Sequence, residues 1–272
     1  MGRAGGVLAA LLCAISGAAG AASPLRVCLL AHNLPYSARD GAHGFDVDVA
    51  RAVASALDRA FEPVWIDNPA VLTEIDDSDI PVHRLRKGAC DAIFSVPGPA
   101  RDTLKRLPTL ALGEAYYGAA FELIGSPGTP PHLKALKAKA VAIQAQTVAS
   151  FAIALLHGRQ RTYFAPRAAL EGVARGEADA ALLWGPTAGW QLRQPPALGL
   201  GIAEGYVPPP ALAWNLHVAT RADEAPLREA IDGALARAAT DGALARAASA
   251  YGIPWHPPFA ATYSLTEMNR LR

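Results

Sequence analysis

Short apolar runs alternate with helix-like segments along the first part of the chain. The apolar runs occupy residues 25–31, 61–66 and 91–96, and in residues 44–57 the apolar residues recur every four positions. A second helix is expected from Pro81, because proline suits the first helical turn. Short apolar runs are typical of buried strands, whereas a spacing of four puts side chains on one face of a helix. The pattern therefore predicts a β-α-β-α-β unit with a parallel sheet.

A similar rhythm continues beyond residues 125–131, a Gly- and Pro-rich segment that suits no regular element. Strands are expected at residues 117–124, 140–143, 162–164, 179–184 and 213–219, and helices at residues 147–156, 166–175, 226–239 and 242–251. The last strand and the last two helices can rejoin the first unit. We predict an α/β protein in which lobe 1 comprises residues 23–122 and 218–272 and lobe 2 comprises residues 123–217. The tail from Trp255 is expected to be loose.

The N-terminus has the pattern of a secretory signal peptide. Arg3 precedes an apolar run at residues 7–15, and Ala19-Gly20-Ala21 suits a signal peptidase. We predict a signal peptide over residues 1–22 and a mature chain in the periplasm, with no further membrane segment. The chain has 25 Lys and Arg against 24 Asp and Glu residues, so loss of Arg3 leaves no formal net charge. Nothing in this balance indicates binding to nucleic acid.

Two cysteines, Cys28 and Cys90, belong to the mature chain. An even number of cysteines in an oxidising compartment favours a disulfide over a metal site or a catalytic thiol. In the common doubly wound strand order, the first strand lies beside the third, and this order would bring the two cysteines to neighbouring strands. We therefore predict a Cys28–Cys90 disulfide.

Sequence motifs of catalysis and metal binding are absent. The chain has no G-x-S-x-G elbow, no H-E-x-x-H pair and no Walker loop, and its histidines lack metal-ligand spacing. The acidic segment at residues 74–79 lacks the glycine and closing glutamate of an EF-hand loop, so a solvated loop is the better interpretation. We expect no catalytic residues, no bound metal and no cofactor.

Four motifs make the mature chain resemble the bacterial extracellular solute-binding proteins of the amino-acid-binding type (family 3). They are Asn33-Leu-Pro-Tyr36, Gly44-Phe-Asp-Val-Asp48, Arg86-Lys-Gly-Ala-Cys-Asp-Ala-Ile93 and Gly176-Glu-Ala-Asp-Ala-Ala-Leu-Leu183. The resemblance implies a type II periplasmic binding protein, with two doubly wound sheets joined by hinge strands and a ligand cleft between them. It also implies a binding protein and not an enzyme.

Two departures from that family bear on the ligand. The loop that usually ends in a carboxylate-binding arginine is Val96-Pro-Gly-Pro-Ala-Arg101, which has no Thr and two prolines without an N–H donor. The segment beginning at Trp184 stands where the family has its ammonium-binding Asp. A free amino acid is therefore a poor ligand for this chain, because its ammonium group would lose its buried counter-charge.

The same departures are similar to a narrower branch, the solute-binding-like proteins associated with quinoprotein alcohol dehydrogenases, typified by MoxJ and XoxJ. The residues that resemble this branch are Arg26-Val-Cys28, Asn33-Leu-Pro-Tyr36, Lys87-Gly-Ala-Cys-Asp91, Val96-Pro-Gly98 and Trp184-Gly-Pro-Thr-Ala-Gly189. The resemblance implies a periplasmic partner, a PQQ-dependent methanol dehydrogenase that uses calcium or a lanthanide. The alternative is the substrate-binding receptor of an ABC transporter for a small polar solute.

The candidate cleft residues follow from these motifs and from the predicted strand ends. They are Asn33, Tyr36, Asp46, Arg101, Gln146, Thr147, Trp184, Trp190 and Trp214. An aromatic cleft suits an apolar peptide segment better than a small zwitterion. Each candidate also has a plainer interpretation: the aromatic residues can pack the core or the hinge, Asp46 can stabilise a helix N-terminus, and Arg101 can form a surface ion pair.

Overall fold

The computed structural model describes residues 23–67, 81–98 and 108–271. The strands are β1 (Leu25–Leu30), β2 (His32–Asn33), β3 (Ser37–Ala38), β4 (Phe61–Ile66), β5 (Ile93–Gly98), β6 (Leu110–Gly125), β7 (Ala140–Gln144), β8 (Arg159–Tyr163), β9 (Ala180–Trp184), β10 (Gly201–Ile202) and β11 (Ala213–Arg221). The predicted signal peptide, Arg101 and the acidic segment at residues 74–79 lie outside the described residues.

The helices cover the sheets, and all except α5 and α8 fall where the sequence pattern predicts a helix. They are α1 (Phe45–Ala56), α2 (Pro81–Arg86), α3 (Ala149–Leu155), α4 (Pro166–Ala174), α5 (Gly185–Leu192), α6 (Ala225–Thr240), α7 (Ala243–Ala250) and α8 (Leu265–Asn269). None of the helices in the described ranges is long and apolar enough to cross a membrane.

Strand β6 joins the two lobes. Its first part pairs antiparallel with β11 as far as Ala120, and from Phe121 to Ile124 it pairs with β9 instead. The chain returns at Ala213, which lies opposite Ala120, so two adjacent strands cross between the lobes. The lobe boundaries predicted after residues 122 and 217 fall inside β6 and β11 and remain a prediction.

Each lobe also contains parallel strand pairs, while β5 pairs antiparallel with β11. In lobe 1, β1 pairs with β4 and meets residue 92, next to β5, through an isolated parallel bridge. In lobe 2, β7 lies between β8 and β9 and is parallel to both. Parallel strands put their carboxyl ends at one edge of the sheet, which is where open α/β folds bind ligands.

Each lobe has its own apolar core. In lobe 1, helix α1 packs Phe45 and Val49 against β1 and β6, and both side chains are buried. In lobe 2, Ile143 and Leu182 are fully buried between α3 and the sheet. Full burial of a side chain of this size contributes about 1.5 to 3 kcal/mol to the free energy of folding. Packing of the helices on the sheet therefore stabilises each lobe.

The predicted disulfide is confirmed. Cys28 on β1 is bonded to Cys90, which precedes β5, with a Cα–Cα distance of 5.6 Å. The next residue, Asp91, accepts hydrogen bonds from the backbone and guanidinium of Arg26 on β1. A disulfide and an ion pair thus join β1 to the segment that leads into β5.

The C-terminal segment is not a loose tail as the sequence suggested. Residues 253–271, which we call the C-terminal strap, begin with Ile253 in the core of lobe 1 and bring Met268 into the core of lobe 2. Between these ends, His256 Nε2 lies 2.7 Å from Glu122 Oε1 on β6, and the ring of Tyr263 stacks on Trp214 with centroids 5.0 Å apart. The strap is therefore a third connection between the lobes.

Candidate functional site

A cavity of about 460 Å³ opens at the carboxyl ends of β1 and β5. Most of its wall is apolar and is formed by β1, β5 and the segments around them, whereas Trp184 lies at the end of β9 in lobe 2. The lining residues are Cys28, Leu29, Leu30, Asn33, Tyr36, Ser37, Asp46, Pro81, Val82, Ile93, Phe94, Ser95, Val96, Pro97, Trp184 and Leu216. A volume of this size is within the usual range for small-molecule sites.

Asp46 and Ser95 form the polar floor of the cavity. The Ser95 hydroxyl donates a hydrogen bond to Asp46 Oδ1 at 2.5 Å, and its backbone N–H donates to the Tyr116 hydroxyl at 3.0 Å. Because the Ser95 hydrogen is committed to Asp46, the Tyr116 hydroxyl at 3.1 Å is left as the donor to Ser95 Oγ. These hydrogen bonds offset the free-energy cost of burying the polar groups of Asp46, Ser95 and Tyr116.

A β-bulge directs Ser95 into this network. Val96 pairs with His217 whereas Ile93 pairs with Ala219, so two residues of β5 lie opposite one residue of β11. Ser95 has φ of 53°, in the left-handed region that residues other than glycine rarely adopt. Strained backbone of this kind clusters at binding sites, where it aims a side chain that regular pairing would turn away.

Burial controls the protonation of the floor. Asp46 is 6% exposed, and burial raises its pKa to about 7 against the opposing effect of the Ser95 hydrogen bond. Burial also raises the pKa of Tyr36, and the nearby Asp46 carboxylate adds to this increase. The tyrosine is therefore neutral, while Asp46 titrates close to neutral pH.

The raised pKa of Asp46 predicts that stability falls as pH rises. The folded protein holds the Asp46 proton up to about pH 7, whereas an unfolded Asp loses its proton near pH 4, so folding is favoured by protonation between these values. The slope from this group is at most about 1.4 kcal/mol per pH unit. Urea unfolding from pH 4.5 to pH 8 should show wild-type protein losing stability relative to Asp46→Asn. Parallel stability curves for the two proteins would contradict the prediction.

Trp184 connects the cavity to the hinge. At the end of β9 its Nε1–H donates to the Tyr36 hydroxyl of lobe 1 at 2.9 Å. Its ring meets Trp214 edge-on with centroids 5.7 Å apart, and Phe121 lies 5.6 Å away. The Trp184–Tyr36 hydrogen bond thus brings the two lobes into direct contact at the cavity.

The structure brings four of the predicted site residues together at the cavity: Asn33, Tyr36, Asp46 and Trp184. Trp214 lies behind Trp184, and Trp190 in α5 faces Tyr251 of lobe 1 at 6.1 Å between ring centroids. Gln146 and Thr147 lie in the turn after β7, away from the cavity lining, and the Thr147 hydroxyl donates to the Gln144 carbonyl. That any of these residues contacts a ligand remains a prediction.

Several lining residues were not singled out from the sequence. Phe94 and Ser95 lie within the predicted strand at residues 91–96 and look like ordinary strand positions until the bulge is seen. Tyr116 and Tyr117 lie two strands away and reach the floor only through the fold. The one available signal was that Ser95 interrupts the apolar run at the carboxyl end of a predicted strand.

The described residues contain no group of three or more His, Cys, Asp or Glu side chains arranged to hold a metal ion. Within the cavity lining that the structure describes, Asp46 is the one residue with an ionisable carboxyl group, and no Lys, Arg or His accompanies it. The arrangement is that of a binding site whose walls are apolar and whose floor offers one carboxylate.

No protein-family model and no curated protein sequence matches the chain. Among solved structures, MxaJ from Methlophaga aminisulfidivorans MPT matches with a TM-score of 0.62 at 22% identity, covering 85% of this chain and 99% of that one. The L-cystine solute receptor of Neisseria gonorrhoeae, in its unliganded open conformation, matches with a TM-score of 0.71 at 17% identity, covering 85% and 93%. The GluR0 ligand-binding core in complex with L-glutamate matches with a TM-score of 0.60 at 20% identity, covering 86% of this chain and 100% of that one.

These matches run over nearly the full length of each known structure, and the matched structures include a solute receptor, a ligand-binding core and a substrate-binding domain. The similarity confirms, at the level of the fold, the resemblance seen in the sequence motifs. The chain has the two-lobed α/β fold of the type II periplasmic binding proteins.

Proposed function

We propose that this chain is a periplasmic, non-enzymatic accessory protein that binds a PQQ-dependent methanol dehydrogenase through the cleft and helps to activate or mature it. The observation that supports this most is the convergence of motifs far apart in the sequence. The residues of the MoxJ- and XoxJ-like motifs that meet at the cavity are Cys28, Asn33, Tyr36, Val96, Pro97 and Trp184. The match to MxaJ over 99% of that chain adds support for this branch.

The chemistry of the cavity favours a protein segment over a free amino acid. An amino acid needs a cation for its carboxylate and an anion for its ammonium group, and the described lining offers only the anion, Asp46. An apolar wall ending at Trp184 and Tyr36 suits the side chain of a docked loop or helix. If both lobes contact the docked segment, binding would favour the partner conformation in which that segment fits the cleft.

A transport receptor for a small polar solute is the second candidate. The match to the L-cystine receptor, with a TM-score of 0.71, favours it. The two candidates differ in what stabilises the protein: a receptor gains stability from its solute, whereas an accessory protein forms a complex with its partner.

The decisive experiment mixes mature protein with the apo form of the methanol dehydrogenase and measures the mass of the complex by light scattering. We expect a complex that Trp184→Ala weakens at least tenfold, because truncating a central aromatic anchor typically costs more than about 2 kcal/mol. Trp190→Ala, which removes a tryptophan outside the cavity lining, should retain the affinity within about threefold. Absence of a complex, together with a thermal shift caused by one amino acid, would favour the receptor.

A further inference from the structure

The cavity floor holds a carboxylate without a cationic partner in the described part of the chain. Asp46 is 6% exposed, and its one side-chain hydrogen bond among the described residues comes from Ser95. No Lys, Arg or His is found among the described lining residues. Ionising a buried carboxylate without a counter-charge is costly, and a ligand that brings a positive charge would remove that cost.

We propose that the cavity binds a primary alkylammonium group, with its charge against Asp46 and its carbon chain along the apolar wall. This proposal rests on the proposed function, because it names the chemistry of the group that enters the cleft. The shared chemistry has two sources: a lysine side chain of the protein partner, or a free alkylamine.

The hydrogen bond from Ser95 favours an ammonium over a guanidinium ligand. It occupies one acceptor site of Asp46 Oδ1 and leaves Oδ2 as the oxygen without a hydrogen bond from the described residues. A guanidinium fork binds best to both carboxylate oxygens at once, whereas an ammonium group acts as a compact point charge. Asn33 and Tyr36 add side-chain oxygens to the same cavity, as acceptors for the remaining N–H donors.

The wall fits the carbon chain. Apolar side chains such as Leu29, Ile93 and Val96 line the cavity beside the floor, and a volume of about 460 Å³ is ample for a chain of several carbons. An alkylammonium ion buries its methylene groups in such surroundings while its charge stays on a polar partner. An α-carboxylate at the other end of such a chain would find no Lys, Arg or His among the described lining residues.

Isothermal titration calorimetry with n-butylammonium chloride tests the proposal, with n-butanol as the neutral ligand of similar shape. We expect saturable binding to wild-type protein, and at least tenfold weaker binding both for n-butanol and for the Asp46→Asn variant. Asp48→Asn is the matched control, because Asp48 lies in the same helical turn but bonds to Tyr251 outside the cavity. It should bind n-butylammonium within twofold of wild type.

A second readout follows from proton linkage. Because a cation stabilises the Asp46 carboxylate, binding at pH 6 should release a proton, and the measured enthalpy should vary with the ionisation enthalpy of the buffer. Absence of saturable binding, or equal binding by wild type and Asp46→Asn, would overturn the proposal.

Competition identifies the source of the group. If n-butylammonium displaces the dehydrogenase, and acetylation of the dehydrogenase lysines prevents the complex, the group is a partner lysine. If n-butylammonium binds while the complex forms unaffected by it, the group is a free alkylamine. If the protein forms the complex but does not bind n-butylammonium, this inference is wrong and the proposed function stands. If it binds n-butylammonium but forms no complex, the proposed function is wrong and the ammonium site stands.

Discussion

Replacing Cys28 and Cys90 together by alanine is expected to lower the free energy of unfolding by about 3 to 4 kcal/mol. The disulfide joins residues separated by 62 positions, and a cross-link over a loop of this length removes much of the conformational freedom of the unfolded chain. Both cysteines are also buried, so truncation removes packing between β1 and β5. For a chain of this size, the midpoint of thermal unfolding should fall by roughly 10 °C.

Reduction provides the control for this prediction. Dithiothreitol should lower the unfolding midpoint of the wild type towards that of the Cys28→Ala/Cys90→Ala variant, and it should leave the variant unchanged. Reduction keeps both cysteine side chains and the Arg26–Asp91 ion pair, so the change in the wild type on reduction reports the covalent link. A change of less than about 1 kcal/mol would show that the cross-link adds little to the contacts between β1 and β5.

The regular elements of both lobes were predictable because their patterns are local. The strand at residues 61–66 and the helix beginning at Pro166 were expected where they are found, since the apolar runs and proline positions determine them. The start of β6 was not predictable from the sequence. Its first part, from Leu110, includes Gly113 and Glu114, which are not typical strand residues. That part is held by antiparallel pairing with β11, a contact between residues far apart in the sequence.

Helix α5 was missed for a specific reason. Its sequence includes Pro186 and Gly189, which usually indicate a turn. In the structure the proline occupies the first helical turn, where it is tolerated, and the glycine is required by a neighbour. A Cβ atom at Gly189 would lie 2.0 Å from the carbonyl oxygen of Gly252 in the other lobe. Gly189 therefore looks like a helix breaker in the sequence, although the close contact between the lobes is what requires a glycine there.

The candidate site was predictable where it depends on strand ends and not where it depends on the hinge. Asn33, Tyr36 and Trp184 follow or end strands, and the parallel sheets bring them to one cavity. The network around Ser95 depends on a bulge, which leaves no periodic signal in the sequence. The C-terminal strap is likewise invisible to periodicity, because ring stacking and side-chain hydrogen bonds hold it in place.

Replacing His256 by alanine is expected to lower the free energy of unfolding by about 2 to 3 kcal/mol and to release the strap. Glu122 is 2% exposed, and His256 Nε2 is the partner of its carboxylate at 2.7 Å. Removing the imidazole leaves a buried carboxyl group without that partner, which costs more than the loss of a surface contact. Urea unfolding measures the loss of stability.

Hydrogen exchange locates the effect of the same substitution. The amide of Phe259 donates to Asn215 Oδ1 and the amide of Tyr263 donates to the Ala213 carbonyl, so both should exchange faster once the strap loosens. Exchange in lobe 2 strands such as β7 should change little. Faster exchange throughout both lobes would indicate global destabilisation without selective release of the strap.

Two further variants separate the histidine contact from a general cost of substitution. His132→Ala removes an exposed histidine and should change stability by no more than about 0.5 kcal/mol. Glu122→Gln retains a hydrogen-bond acceptor for His256, so it should lose less than His256→Ala does. If His256→Ala behaved like His132→Ala, the buried Glu122 would have to be satisfied without the imidazole, and the strap would be held by its other hydrogen bonds and its aromatic contacts.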